Sequence, residues 1–202
     1  MMIKNALIAT TLLAPNIALA DSPSSSGNWD GVHVGLKGGY GVFTGKDTVG
    51  NKGSIHARIA GAFAGYNHSF NNIVVGVEAE INATDYEAVS GSGLSRSTSK
   101  WNSIGTVRLG YDTGEFLPYV SAGVGIVEYE VKRFSDAEIT RNTHIGLAVG
   151  AGFEAMITNN ISARIDYKHL QMSKETFKFS GTSAFQIEGS QNLFTAGLAY
   201  NF

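Results

Sequence analysis

Leu193-Phe194-Thr195-Ala196-Gly197-Leu198-Ala199-Tyr200-Asn201-Phe202 closes the sequence, and the reading of this stretch decides the fold. In an extended chain, successive side chains point to opposite faces. Phe194, Ala196, Leu198, Tyr200 and Phe202 therefore share one face, and Leu193, Thr195, Gly197, Ala199 and Asn201 share the other. An alternating strand that runs to an aromatic carboxy terminus suits the final strand of a membrane-spanning β-barrel. That strand must pair with the first, with Phe202 at the closure, because an open sheet edge does not survive in lipid.

Seven further segments upstream share the period of two. The first, about 29–43, puts Val32, Val34, Leu36, Tyr40 and Val42 outward and His33, Lys37 and Gly39 inward. In the second, about 55–67, Ile55, Ile59 and Phe63 oppose His56, Arg58 and Tyr66, and the many alanines leave its register open. The third, about 73–85, alternates most clearly: Ile73, Val75, Val77, Ala79 and Ile81 face out, while Gly76, Glu78, Glu80 and Asn82 face in. The remaining segments are predicted at about 100–111, 117–131, 143–156 and 161–170. Alternating segments of roughly ten residues are weak evidence singly and stronger in series, and an even strand number suits a bacterial single-chain barrel. The fold expected is all-β: an eight-stranded antiparallel up-and-down transmembrane barrel with short periplasmic turns and four long extracellular loops.

The connections support that orientation. Those at 67–72, 112–116 and 157–160 are short, whereas 44–54, 86–99, 132–142 and 171–191 are long and rich in Ser, Gly, Thr and Asn. Short turns on one side and long loops on the other place both termini in the periplasm. Aromatic residues near the predicted strand ends, namely Trp29, Tyr40, Phe43, Tyr66, Phe70, Trp101, Tyr111, Phe116, Tyr167, Tyr200 and Phe202, suggest two interfacial girdles. A soluble β-sandwich or lipocalin-like barrel would alternate as well, but with its apolar face inward. The two architectures differ in whether Glu78 and Arg108 meet each other or bulk water.

The amino terminus carries Lys4, an apolar stretch from Ala6 to Leu13, and Ala18-Leu19-Ala20. That pattern predicts a signal peptide over 1–20, cleaved before Asp21, then a short linker over 21–28 and a barrel domain over 29–202. No later stretch matches a membrane helix, which needs about 20 apolar residues. There is no cysteine, hence no disulfide, and a formal net charge of −2 gives no broad basic field for nucleic acid. Glycine, at 25 residues, is abundant without a collagen period, and many glycines fall inside the alternating segments.

Glu78, Glu80, Arg108, Glu154, Arg164, Asp166 and Lys168 all occupy the face opposite the apolar set. An eight-stranded barrel has an interior just wide enough to be filled by side chains. Lone charges there would be very costly, so these residues are expected to form a structural network of ion pairs, with Arg108 and Arg164 pairing to Glu78, Glu80 or Glu154. The sharper alternative is a proton or cation site on Glu78, Glu80, Glu154 and Asp166. Two arginines and a lysine on the same face favour internal neutralisation, and no metal is expected.

Other motifs carry little. Gly150-Ala151-Gly152-Phe153-Glu154-Ala155 fits a dinucleotide pattern but lies in a strand that leads to a turn, without the helix that phosphate binding needs. His33, His56, His68, His144 and His169 are scattered without metal-ligand spacing. A rim histidine ligating haem is the sharper alternative for them. No nucleophile elbow is present, and no enzyme is predicted.

Several stretches together resemble a known family. They are Ala60-Gly61-Ala62-Phe63-Ala64-Gly65-Tyr66-Asn67, Ile73-Val74-Val75-Gly76-Val77-Glu78-Ala79-Glu80, Val107-Arg108-Leu109-Gly110-Tyr111-Asp112, Leu117-Pro118-Tyr119-Val120, Arg164-Ile165-Asp166-Tyr167 and the terminal strand. In this order they resemble the small eight-stranded outer-membrane barrels of the OmpA-like/opacity type, in the alphaproteobacterial surface-antigen branch with its porin-like and haemin-binding relatives. The resemblance implies an abundant envelope protein of the Gram-negative outer membrane and supplies no catalytic residues. It carries no activity by itself, because fold and function are separable.

The function expected is a structural barrel that supports the envelope and meets host or environment through its external loops. A small porin-like channel and a haemin-binding receptor are the alternatives. The partners expected are outer-membrane lipids, the barrel-assembly machinery acting on the C-terminal strand, and host surface molecules.

Overall fold

The computed structural model describes residues 29–46, 52–89, 95–133, 139–172, 175–177 and 185–202. The expected signal peptide and linker lie outside the described residues, as do the middles of the four long connections. The strands are β1 (Gly31–Lys46), β2 (Lys52–Phe70), β3 (Ile73–Val89), β4 (Ser95–Tyr111), β5 (Phe116–Arg133), β6 (Ile139–Met156), β7 (Ile161–Met172), β8 (Glu175–Phe177) and β9 (Phe185–Asn201). Each long strand pairs antiparallel with the next, and β9 pairs back onto β1 from His33↔Asn201 to Lys46↔Glu188. That pairing closes an eight-stranded barrel, because the three-residue β8 only borders the outer part of β9. At the seam the backbone N–H of Phe202 donates to the Val32 carbonyl at 2.9 Å. No ladder edge is left facing lipid along the closed wall.

The wall has the predicted polarity. Leu36, Val77, Leu109, Val120, Leu147, Ile165 and Leu198 are exposed on the outer face, while Glu78, Arg108 and Arg164 are buried inside. Tyr66, Phe70, Tyr111, Phe116, Tyr200 and Phe202 project near the periplasmic end, and Tyr40, Tyr167 and Phe194 project farther up. Two aromatics depart from the expected girdles. Trp29 is only 1 % exposed; it turns into the barrel mouth, and its indole N–H donates to the Gly114 carbonyl at 3.2 Å. Phe43 packs against the inner apolar cluster and meets Tyr86 edge-on at 6.2 Å.

The structure settles the register of β2, which the sequence leaves open. Ile59 and Phe63 point inward, and the outer face carries Arg58, Ala60, Ala62, Ala64 and Tyr66. Hydropathy misleads there because the lipid-facing positions are alanines and the large apolar side chains fill the lumen. A second correction concerns the long connections. The strands continue into them, so that β1 and β2 stay paired up to Lys46↔Lys52 and β3 and β4 up to Val89↔Arg96. A membrane strand needs about 9–11 residues. The 19-residue β2 and 18-residue β5 therefore extend beyond the membrane as paired ribbons.

Inward glycines let the narrow barrel close. A Cβ on Gly123 would overlap the Gly105 carbonyl oxygen of the neighbouring strand, and one on Gly39 would overlap the Phe194 carbonyl. The nearest atoms at both positions are backbone of the neighbouring strand, so no soft side chain can give way. Gly123→Val is expected to destabilise the barrel by about 1–3 kcal/mol, the usual range for overpacking. A lower urea midpoint for the heat-modifiable gel band would report it.

Candidate functional site

Strand register builds the lumen from three stacked layers. The middle layer is ionic. Arg164, from β7, makes a two-pronged contact with Glu78 of β3, its two terminal nitrogens lying 2.7 and 2.8 Å from the carboxylate oxygens. Its Nε donates to Asp166 at 2.8 Å. Arg108, from β4, bridges Glu78 at 3.1 Å and Glu154 of β6 at 3.0 Å. Glu80 receives Lys37 of β1 at 2.6 Å and Lys168 of β7 at 2.7 Å. The planar guanidinium fork suits such paired contacts, which are among the stronger hydrogen bonds.

Further polar groups complete the layer. Nε2 of His33 lies 3.2 Å from Glu78 and 3.4 Å from Arg108. The Tyr119 hydroxyl donates to Asp166, and the Ser162 hydroxyl donates to Glu154 at 2.6 Å. The guanidinium carbons of Arg108 and Arg164 lie over the rings of Tyr119 and Phe63, at 3.9 and 3.7 Å from the centroids. These stacked faces add cation–π attraction in a desolvated setting.

All seven sequence-predicted charged residues stand in this one layer. The expected set held four carboxylates against three cations. Lys37, which the sequence reading placed inward but left out of the network, makes the count four against four. The imbalance was itself the signal that a cation was missing. His33 and Tyr119 carried no such signal. Each carboxylate is engaged by a cation, and among the described residues no group of three or more acidic or histidine side chains is placed to hold a metal ion.

Apolar layers cover the ionic one at both ends. Toward the outside lie Ile59, Ile104, Val127, Ala148, Leu170, Met172 and Leu193. Toward the periplasm lie Trp29, Val74 and Leu117, with Met156 against them. The other histidines are dispersed. His68 faces Asp30 at 3.4 Å near the periplasmic end, His169 meets Asn192 at 2.9 Å, His56 is exposed, and the side chain of His144 lies outside the described set.

The profile of the outer membrane protein beta-barrel domain matches residues 7–202. The 25 kDa outer-membrane immunogenic protein of Brucella canis is 32 % identical over 176 residues, which is 87 % of this chain and 80 % of that protein. The 22 kDa outer membrane protein of Rhizobium leguminosarum bv. viciae is 31 % identical over 180 residues, covering 88 % and 80 %. Among solved structures, Neisserial surface protein A superposes with a TM-score of 0.57 at 15 % identity, covering 86 % of this chain and 98 % of that one. This likeness concerns the fold alone.

Proposed function

The chain belongs to the outer membrane protein beta-barrel domain family, and we propose that it serves as a sealed structural barrel displaying its outer loops at the surface of a Gram-negative cell. One observation carries the reading: among the described residues the lumen is filled at three successive levels. Four cations and four carboxylates neutralise one another at mid-height, and apolar side chains cap them on both sides. A pore that conducts steadily needs a wetted path, and hydrophobic constrictions close a pore by dewetting. A filled barrel instead offers a rigid mount on which loops can vary without unfolding the wall. The interaction with host or environment is assigned to the four long connections of the sequence, 44–54, 86–99, 132–142 and 171–191, whose middles lie outside the described residues. Relatives named as immunogenic proteins in Brucella fit a chain whose loops antibodies can reach. On this reading no cofactor or catalytic residue is required, the barrel contacts outer-membrane lipids, and the assembly machinery takes the chain by β9.

Planar-bilayer recording tests the proposal. The refolded protein is expected to give no steady current under conditions in which a large porin conducts. A stable ohmic conductance from the wild-type chain would transfer the function to transport. Antibody binding to intact cells supplies the second half of the test. Replacing 178–184 by a short Gly/Ser linker is expected to keep the heat-modifiable band and remove antibodies raised against that loop.

A further inference from the structure

We propose that the free outer edge of β6, residues 139–145, is a docking site for an extended peptide segment of an external protein, which adds to it as an antiparallel strand. The inference deepens the surface role proposed above and rests on it, because the edge lies at the loop end of the barrel. It starts from where the ladders stop. The β2–β3 ladder ends at Ile59↔Thr84, and the β6–β7 ladder ends at Gly146↔Met172. At nearly the same height the β3–β4 register shifts between Ala83 and Tyr86, and the β4–β5 register shifts between Thr98 and Asn102. Above that level the wall divides into two sheets. One joins β3, β4, β5 and β6, up to Val89↔Arg96, Ser95↔Arg133 and Lys132↔Ile139. The other joins β2, β1, β9 and β8, up to Lys46↔Lys52, Lys46↔Glu188 and Phe177↔Phe185.

The sheets leave a gap on either side, and the two gaps differ. Across the β2–β3 gap, the Asp85 carboxylate accepts the backbone N–H of Arg58 at 2.6 Å. A side chain thus takes up the first main-chain donor beyond that ladder. The same stretch of β2 carries Lys52 and Arg58, charges of the kind that blunt strand edges. On the other side the chain that should face β6 is diverted. β7 stops at Met172, and the next strand, β8, pairs with β9. The stretch Ile139-Thr140-Arg141-Asn142-Thr143-His144-Ile145 is therefore laddered to β5 along one edge and, among the described residues, to nothing along the other. Neither lysine nor proline interrupts it, and the β5–β6 register runs unbroken from Phe116↔Ala155 to Lys132↔Ile139. In an antiparallel ladder alternate residues spend their N–H and C=O on one neighbour, so the others aim theirs into the gap. Such a row is a template for one more strand. A strand antiparallel to β6 continues the line that β7 leaves. Thr143 and Ile145 are exposed beside its path, so β-branched or aromatic residues at every second position of the ligand gain cross-strand contacts. The ligand is an extended, proline-free segment held chiefly through its main chain.

The test uses the full mature chain folded in detergent micelles. The probe is a synthetic peptide with the sequence of residues 126–132, the stretch of β5 that already pairs with this part of β6. Hydrogen exchange read by mass spectrometry is expected to slow at 139–145 by about fivefold or more at saturating peptide, the protection given by main-chain hydrogen bonds of ordinary net strength. Exchange at 126–132 and at 52–58 is expected to stay unchanged. Of two peptides N-methylated at alternate residues in opposite phase, one is expected to protect and the other not, since only one edge of the peptide faces β6. The chain has no cysteine, so T143C and H56C each take a single fluorophore. A quencher on the peptide is expected to dim the first and spare the second. Unchanged exchange at 139–145, equal protection by both methylated peptides, or equal quenching at both labels would overturn the site. So would faster exchange at 126–132, because the peptide would then be displacing β5. Protection that rises with protein concentration in the absence of peptide would overturn it too, by giving the edge to a second copy of the chain. Heat modifiability confirms that each labelled variant is folded. Bilayer current and loop antibodies read the surface-barrel proposal separately.

Discussion

Glu78→Leu is expected to lower the unfolding free energy by about 3–5 kcal/mol, the range for removing one partner from a buried charge cluster. Glu78 is 5 % exposed and receives Arg164 through both oxygens, Arg108 at 3.1 Å and His33 at 3.2 Å. Lys168 stands 3.6 Å from it as well. Without Glu78 the layer holds four cations against three carboxylates, and Arg164 keeps only Asp166 as an acidic partner. The apolar layers on both sides shut out the bulk water that would otherwise take up that charge. Urea titration of the protein folded in lipid vesicles, followed by tryptophan fluorescence, measures the loss. The double variant E78L/R164L restores the balance of charge and is expected to be more stable than E78L alone. That ordering follows because a buried ion pair contributes little net stability when its partners are removed together. If E78L unfolded at the wild-type midpoint, the network would be ornamental and the lumen wetter than its layers indicate.

The barrel was legible in the sequence for one reason. A wall with lipid outside and charges inside writes period-two contrast into nearly every strand, as Val75, Val77 and Ala79 against Gly76, Glu78 and Glu80 show. Where the contrast fades, the reading stays open. β2 has alanines outside and Ile59 and Phe63 inside, so the face with the larger hydropathy is the wrong one. Trp29 illustrates a second limit. An aromatic near a strand end serves equally as a membrane anchor or as a plug for the mouth, and only the Gly114 carbonyl across the turn decides between them. Strand length is a third. Polar residues that continue a ladder above the membrane have the composition of loops, which hid the outer ribbons.

The candidate site divides in the same way. Each charged residue of the lumen could be placed inward from its own strand's phase. The partners could not be assigned, because they depend on which strands face one another across the barrel: Arg164 and Glu78 lie 86 residues apart in sequence. Rows on the outer wall are harder still. Tyr40, Phe194 and Tyr167 align only once the β9–β1 seam has fixed the register of both its neighbours.

Leu36→Arg is expected to destabilise the folded barrel by about 2–4 kcal/mol, whereas the same change at Thr44 on the same strand and face should cost about 0–1 kcal/mol. Leu36 is 71 % exposed and lies midway along the outer face of β1, between Val34 and Tyr40. A guanidinium there meets hydrocarbon, and it must snorkel, draw in water or thin the bilayer. Thr44 stands above Tyr40 and opposite Ser54 and Ser190, at a level where every outward neighbour is already polar. The difference between the two sites measures depth. It depends on the wall being bathed in lipid and is insensitive to what fills the lumen. Equilibrium unfolding in phosphatidylcholine vesicles gives both values. Equal effects at the two positions would mean that Leu36 does not sit in hydrocarbon, and the membrane-facing assignment of this wall would have to be withdrawn. A gradient of the expected size would locate the outer boundary of the bilayer between Leu36 and Thr44, at the level where Tyr40 and Arg58 stand side by side.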